Sequence, residues 1–154
     1  MGECRDRAQS EVTMKVLSLL QPWAQLVVIG AKRIETRSWN TDYRGPLLIH
    51  ASKKFLKDDR ILCETDPYFA RALQDRRVAE LPLGAIIGKV MLRELRTTTV
   101  MLAGNELSEQ EKRFGNYGYG RWAWLLTGAE EFAKPISAKG SLGIWEFIWE
   151  FANG

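Results

Sequence analysis

Residues 30–39 read Gly30-Ala31-Lys32-Arg33-Ile34-Glu35-Thr36-Arg37-Ser38-Trp39, and two structural periods meet there. Upstream, Trp23, Leu26, Val27 and Gly30 fall at helical spacing. Pro22 suits the first position of that helix, where its missing N–H costs nothing, and Gly30 can end it in the left-handed region. From Arg33 the chain alternates with period two, which puts Glu35, Arg37 and Trp39 on one strand face and Ile34 and Thr36 on the other. A helix end therefore runs directly into a strand lined with charge.

Working outward, Lys15-Val16-Leu17-Ser18-Leu19 reads as a strand stopped by Gln21-Pro22. After turn residues at 40–45, Pro46-Leu47-Leu48-Ile49-His50-Ala51 reads as another. Residues 53–80 are charged and broken at Asp66-Pro67, which predicts two short helices with a polar outer face. Leu81 to Glu94 returns to strand character, with Gly84 and Gly88 where a bulge or a close backbone approach would let a sheet curl. Residues 96–120 read as loop with one helical turn near Ser108–Glu111, followed by strands at Arg121–Leu126 and Ile144–Phe151. Trp122, Trp124, Trp145 and Trp149 read as packing residues and Cys63 as a core thiol. Strands outnumber helices, so the expected class is α+β, a small curled sheet or barrel flanked by helices.

The chain has 154 residues, 45% hydrophobic and 27% charged, enough for one good core. The expected organisation is a loose N-terminal extension at 1–13 and one domain at 14–154. A single histidine, and two cysteines far apart at Cys4 and Cys63, argue against a structural zinc site and for a reducing cytoplasm. No apolar run approaches the ~20 residues of a membrane span, so no membrane partner is expected. The net charge of +3 is small, but its distribution is uneven. Residues 14–60 hold nine basic and four acidic side chains, whereas the segments before and after each sum to −1. An anionic ligand is therefore expected along residues 14–60.

The octad Gly30-Ala31-Lys32-Arg33-Ile34-Glu35-Thr36-Arg37 fits the pattern G-x-K-x-x-E-x-R and resembles the signature of the ASCH domain (activating signal cointegrator homology), a relative of the PUA RNA-binding fold. Leu17-Ser18-Leu19-Leu20-Gln21-Pro22-Trp23-Ala24 looks like the segment preceding that signature, and Tyr43–Ser52 like the strand following it. Gly115-Asn116-Tyr117, Gly120–Trp124 and Lys139–Trp145 resemble the family's late strands. The resemblance spans about residues 15 to 149. It implies a PUA-like small β-barrel with flanking helices and a cleft into which the signature residues point.

In such a cleft Lys32 offers a point charge and Arg37 a planar fork for phosphate or carboxylate. Glu35 would orient the two cations, accept hydrogen bonds from a base, or act as a general base. Gln21, Trp23, His50, Tyr117, Arg121 and Lys139 are the further candidate ligand-binding residues. Residues 112–122 interleave basic and aromatic side chains in the manner suited to single strands. The function these features imply is binding of RNA, another single-stranded nucleic acid or a nucleotide-like small molecule by a monomer without metal or cofactor. Two alternatives stay open: a hydrolase acting on RNA or acylated nucleosides through Lys32 and Glu35, and a protein-interaction module linked to transcription.

Overall fold

The structure, a computed structural model, describes residues 11–150. The alternation read from Lys15 begins earlier, so β1 spans Glu11–Leu19 and alternates its inner half between two buried clusters. Of the extension expected at 1–13, Glu11 to Thr13 are paired in β1 and residues 1–10 lie outside the described residues. β1 pairs in parallel with β3 (Gly45–Ala51), with Leu17 opposite Ile49 and Ser18 opposite His50. A parallel pair needs a long crossover. Residues 20–44 supply it, carrying α1 (Trp23–Val28) and β2 (Ile34–Arg37). Gly30, at φ +81°, ends the α1 segment in the left-handed region, as its spacing implies.

The remaining strands are antiparallel. β4 (Ala85–Thr97) pairs with β3 and with β5 (Trp122–Ser137); β2 adds to the far side of β5, and β6 (Ile144–Glu150) to β1. The order is β2-β5-β4-β3-β1-β6. The architecture is α+β with helices at the flank, and the sheet is bent by register shifts at Ile49/His50, Ile86/Gly88, Lys89/Met91 and Leu92/Glu94. It remains an open sheet with β2 and β6 at its edges, not the closed ring of a barrel.

One face of the sheet packs against α1: Leu17, Leu19, Ala24, Val27, Leu47, Ile49, Ile87 and Trp124 form the main cluster. The opposite face carries Val16, Leu48 and Ile86, with Phe132, Trp145 and Trp149 half-buried around them. Each large side chain so buried contributes roughly 1.5–3 kcal/mol. The charged stretch after β3 forms two short helices, α2 (Lys57–Thr65) and α3 (Pro67–Leu73), where Asp66 caps the second by accepting from the Tyr68 N–H at 2.9 Å. Their inner face, with Cys63, Phe69 and Leu73, joins Leu26 and Phe114 in a separate cluster. Burial pushes the Cys63 thiol up to about 11, consistent with a packing role.

The stretch read as loop at 96–120 contains more order than its pattern suggests. β4 runs on to Thr97, then come α4 (Thr98–Ala103) and α5 (Glu109–Phe114). Val100 and Leu102 of α4 are exposed, so no apolar stripe announces that helix. β5 likewise continues eleven residues past Leu126, because its polar outer half is held by the ladder to β4 and not by burial.

Gly88 is where the sheet meets α1 and β5 most closely: a Cβ there would lie 2.4 Å from the Glu130 carbonyl oxygen and 2.5 Å from Val28 Cγ1. Gly88→Ala is expected to lose at least about 2 kcal/mol in urea unfolding, since both neighbours are fixed by secondary structure. Gly104→Ala, whose Cβ would meet only contacts at 3.8 and 3.9 Å, is expected to change stability by less than about 0.5 kcal/mol.

Candidate functional site

After Gly30, the Ala31 and Lys32 N–H groups both donate to the Leu26 carbonyl at 3.0 Å, which turns the chain under β2. The Lys32 side chain is 0% exposed; its Nζ donates to the Ile34 carbonyl and lies 3.5 Å from Glu35 Oε1. Glu35 Oε2 accepts from Arg37 Nη1 at 3.1 Å, and the Arg37 guanidinium stands over the Trp39 ring at 5.6 Å. Glu35 and Arg37 thus share a face, as the period requires. Lys32 does not: expected in the cleft, it is sealed beneath the strand, because an ammonium group removed from water needs a carbonyl and a carboxylate beside it.

Two more groups sit under the same strand. Glu111 Oε1 accepts from the Arg33 N–H at 2.6 Å, and burial holds its carboxyl above the usual glutamate value against the opposing pull of backbone N–H groups and Lys32. The Tyr117 hydroxyl is buried, and desolvation together with the negative charges of Glu111 and Glu35 drives its pKa upward. Its ring packs with Ile34, Met101 and Ala123. Tyr117 is therefore a support of β2 and not an exposed stacking surface.

Two cavities adjoin at Arg37, which lines both. The smaller, of about 520 Å³, has an apolar wall of Trp23, Phe69 and Phe114 and a polar wall of Glu35, Thr36, Arg37, Asn116 and Arg121. Arg121 spans its base, donating from Nε to the Asn116 carbonyl at 3.1 Å and from Nη2 to the Thr36 carbonyl at 3.2 Å. Arg113 at its rim is paired with Asp66 at 2.7 Å. Trp23 packs edge-on against Phe69 at 6.1 Å, so it forms wall and core together.

The larger cavity, of about 970 Å³, is bordered by Arg37, Lys53, Lys54 and Lys139, and among the described residues no carboxylate lines it. His50 and Ser18 also line it. Trp145 Nε1 donates to Ser18 Oγ at 3.0 Å, and His50 Nε2 lies 2.8 Å from the Ala138 carbonyl. A carbonyl only accepts, so the proton is assigned to Nε2, and Nδ1 accepts from Ser18 Oγ at 3.0 Å. This chain ties β1, β3 and β6 to the segment bearing Lys139. Gly140 lies so close that a Cβ would sit 2.7 Å from His50 Cε1.

Of the residues expected at the site, Trp23, Glu35, Arg37 and Arg121 meet in the smaller cavity, while His50 and Lys139 join Arg37 in the larger. Gln21 belongs to neither. It is fully buried, donating to the Pro82 carbonyl and accepting from the Gln25 N–H, each at 2.9 Å, so it holds the start of α1. Sequence reading did not single out Lys53, Lys54, Ser18 or Asn116. Lys53 and Lys54 sit just past β3 in a stretch that resembled a solvated helix face, and only the return of residues 137–143 places them around a cavity. Among the described residues no group of three or more His, Cys, Asp and Glu side chains could hold a metal ion, and no helix is long and apolar enough to cross a membrane.

A family model described as the ASCH domain matches residues 17–136. The mouse and human proteins named Activating signal cointegrator 1 are each 29% identical to the chain over 141 residues, a match covering 90% of this chain and 23% of theirs. The chain thus spans less than a quarter of the length of these relatives. A crystal structure of ASCH from Zymomonas mobilis is similar with a TM-score of 0.47 and 21% identity, covering 86% of this chain and 75% of that one.

Lys32→Ala is expected to cost about 3–5 kcal/mol in urea unfolding, because it leaves Glu35 facing the interior without its buried partner. Lys32→Met/Glu35→Gln is expected to lose less than the sum of the two single changes. Glu111 generates a pH dependence. Since the folded protein holds its proton more tightly than the unfolded chain, stability falls as pH rises from the ordinary glutamate value through the raised one. Subtracting the stability profile of Glu111→Gln from that of the unsubstituted protein isolates this decline.

Proposed function

The chain belongs to the ASCH domain family, and from that premise we propose that it binds single-stranded RNA across the two cavities that meet at Arg37. The observation that carries this reading is the segregation of charge. Lys53, Lys54 and Lys139 face the larger cavity with no carboxylate among the described residues of its walls, whereas the smaller cavity sets Glu35 and Asp66 against its arginines beside an aromatic wall. A polyanion with planar bases matches that pair: phosphates against the lysines and Arg37, and a base against Trp23, Asn116 and Arg121. The basic excess at residues 14–60 is the linear trace of the same arrangement, since Arg37, Lys53 and Lys54 come from it.

Glu35 in this reading is a positioning residue. Its two oxygens face Lys32 and Arg37 respectively, which aims the guanidinium along the wall between the cavities. That arrangement supports an orienting role over a general base, and it supports ligand binding over hydrolysis. A cationic cavity likewise favours a polyanion over a protein partner.

Anisotropy of a labelled short single-stranded RNA is expected to show log K falling with log salt with a slope of about −2 to −3, as for three or four phosphate contacts. Arg37→Ala should weaken binding by about tenfold or more. Lys53→Ala/Lys54→Ala, which changes only exposed side chains, should flatten the slope by about 1.4. Unchanged affinity in both variants would overturn the proposal.

A further inference from the structure

We infer that the larger cavity receives the terminal phosphate of the RNA, a phosphomonoester, so that the protein distinguishes a phosphorylated strand end from a hydroxyl end. This rests on the RNA-binding reading and sharpens it. The cations around this cavity exceed what an internal phosphodiester, with one charge and two free oxygens, requires. A monoester carries about −1.5 to −2 at neutral pH and three acceptor oxygens. Lysine ammonium groups suit such a rotating, multiply charged group, because each acts as a point charge with three donors. Arg37 keeps one edge on Glu35 and is 27% exposed, so the rest of its fork stays open to the ligand at the border of the smaller cavity. The volume, about 970 Å³, accommodates a whole terminal nucleotide and not the phosphate alone.

The lysines are also borne on segments stitched together before any ligand arrives. Ser52 N–H donates to the Leu19 carbonyl at 2.9 Å, Gly84 N–H to the Ala51 carbonyl at 2.7 Å, and Ala138 N–H to the Gly84 carbonyl at 3.1 Å. His50 closes the circuit onto the Ala138 carbonyl. Gly84, at φ +64°, leaves room for the stem of Lys53, whose Cγ would be 2.9 Å from a Cβ at that position. The end of β3, the start of β4 and the segment after β5 are thereby held in one frame. Preorganisation of this kind reduces the entropy lost when a small, highly charged group binds.

The experiment compares one labelled RNA hexamer in three forms, bearing a 5′-phosphate, a 3′-phosphate or hydroxyls at both ends, with the full chain at fixed salt. At least one phosphorylated form is expected to bind about tenfold more tightly than the hydroxyl form, and which one identifies the end recognised. In Lys53→Ala/Lys139→Ala that ratio should fall to within about twofold. Equal binding of all three forms would overturn the terminal-phosphate inference while leaving RNA binding intact. Preference retained in the double variant would overturn it by moving recognition elsewhere. Binding of none of the three at low salt would overturn the RNA reading itself, and this inference with it.

Discussion

A lysine with no exposed side-chain surface imposes a demand on everything around it. The ammonium group of Lys32 lies beneath β2, where removal from water costs several kcal/mol unless carbonyl oxygen and opposite charge replace the lost hydration. The Ile34 carbonyl and the Glu35 carboxylate meet that demand, and both belong to the strand that Lys32 supports. Because Glu35 is held from below, its other oxygen is available to Arg37 above. The ion pair therefore runs from the interior to the wall of the cavities, and the direction of Arg37 follows from the position of the buried lysine. The turn at Gly30 and the paired N–H donors to Leu26 make this geometry reachable within two residues of the helix.

Arg37 is in turn the point where two differently built cavities join. On one side, aromatic side chains shared with the helical cluster form a wall, and Glu35 and Asp66 pair with Arg37 and Arg113. On the other side, segments from three strand ends are stitched by backbone hydrogen bonds and by the Trp145–Ser18–His50–Ala138 chain. His50 is best understood there as the bolt of that frame. The balance of charge, more than size or shape, sets the two cavities apart.

Much of this was legible in the chain. The helix ending at Gly30, the shared face of Glu35 and Arg37, the break at Asp66-Pro67 and the close approach at Gly88 all follow from local spacing and from residue types with narrow conformational preferences. The outer half of β5 and the helix α4 were not legible, because their order comes from a bulged ladder and from capping, neither of which leaves a hydrophobic period. Lys32 was misplaced for a related reason. A lysine in a charged octad looks like a surface ligand, and only the fold reveals that its stem points inward.

What local sequence decided, then, was which elements form and which side chains share a strand face, since periods of 3.6 and 2 are properties of a few consecutive residues. What needed the tertiary structure was depth and neighbourhood: Lys32 and Gln21 buried and Tyr117 half-buried as supports, and Lys53 and Lys54 brought around one cavity with Lys139 from the far end of the chain. Burial and electrostatic balance depend on contacts between residues distant in sequence, and no spacing rule within a segment encodes them.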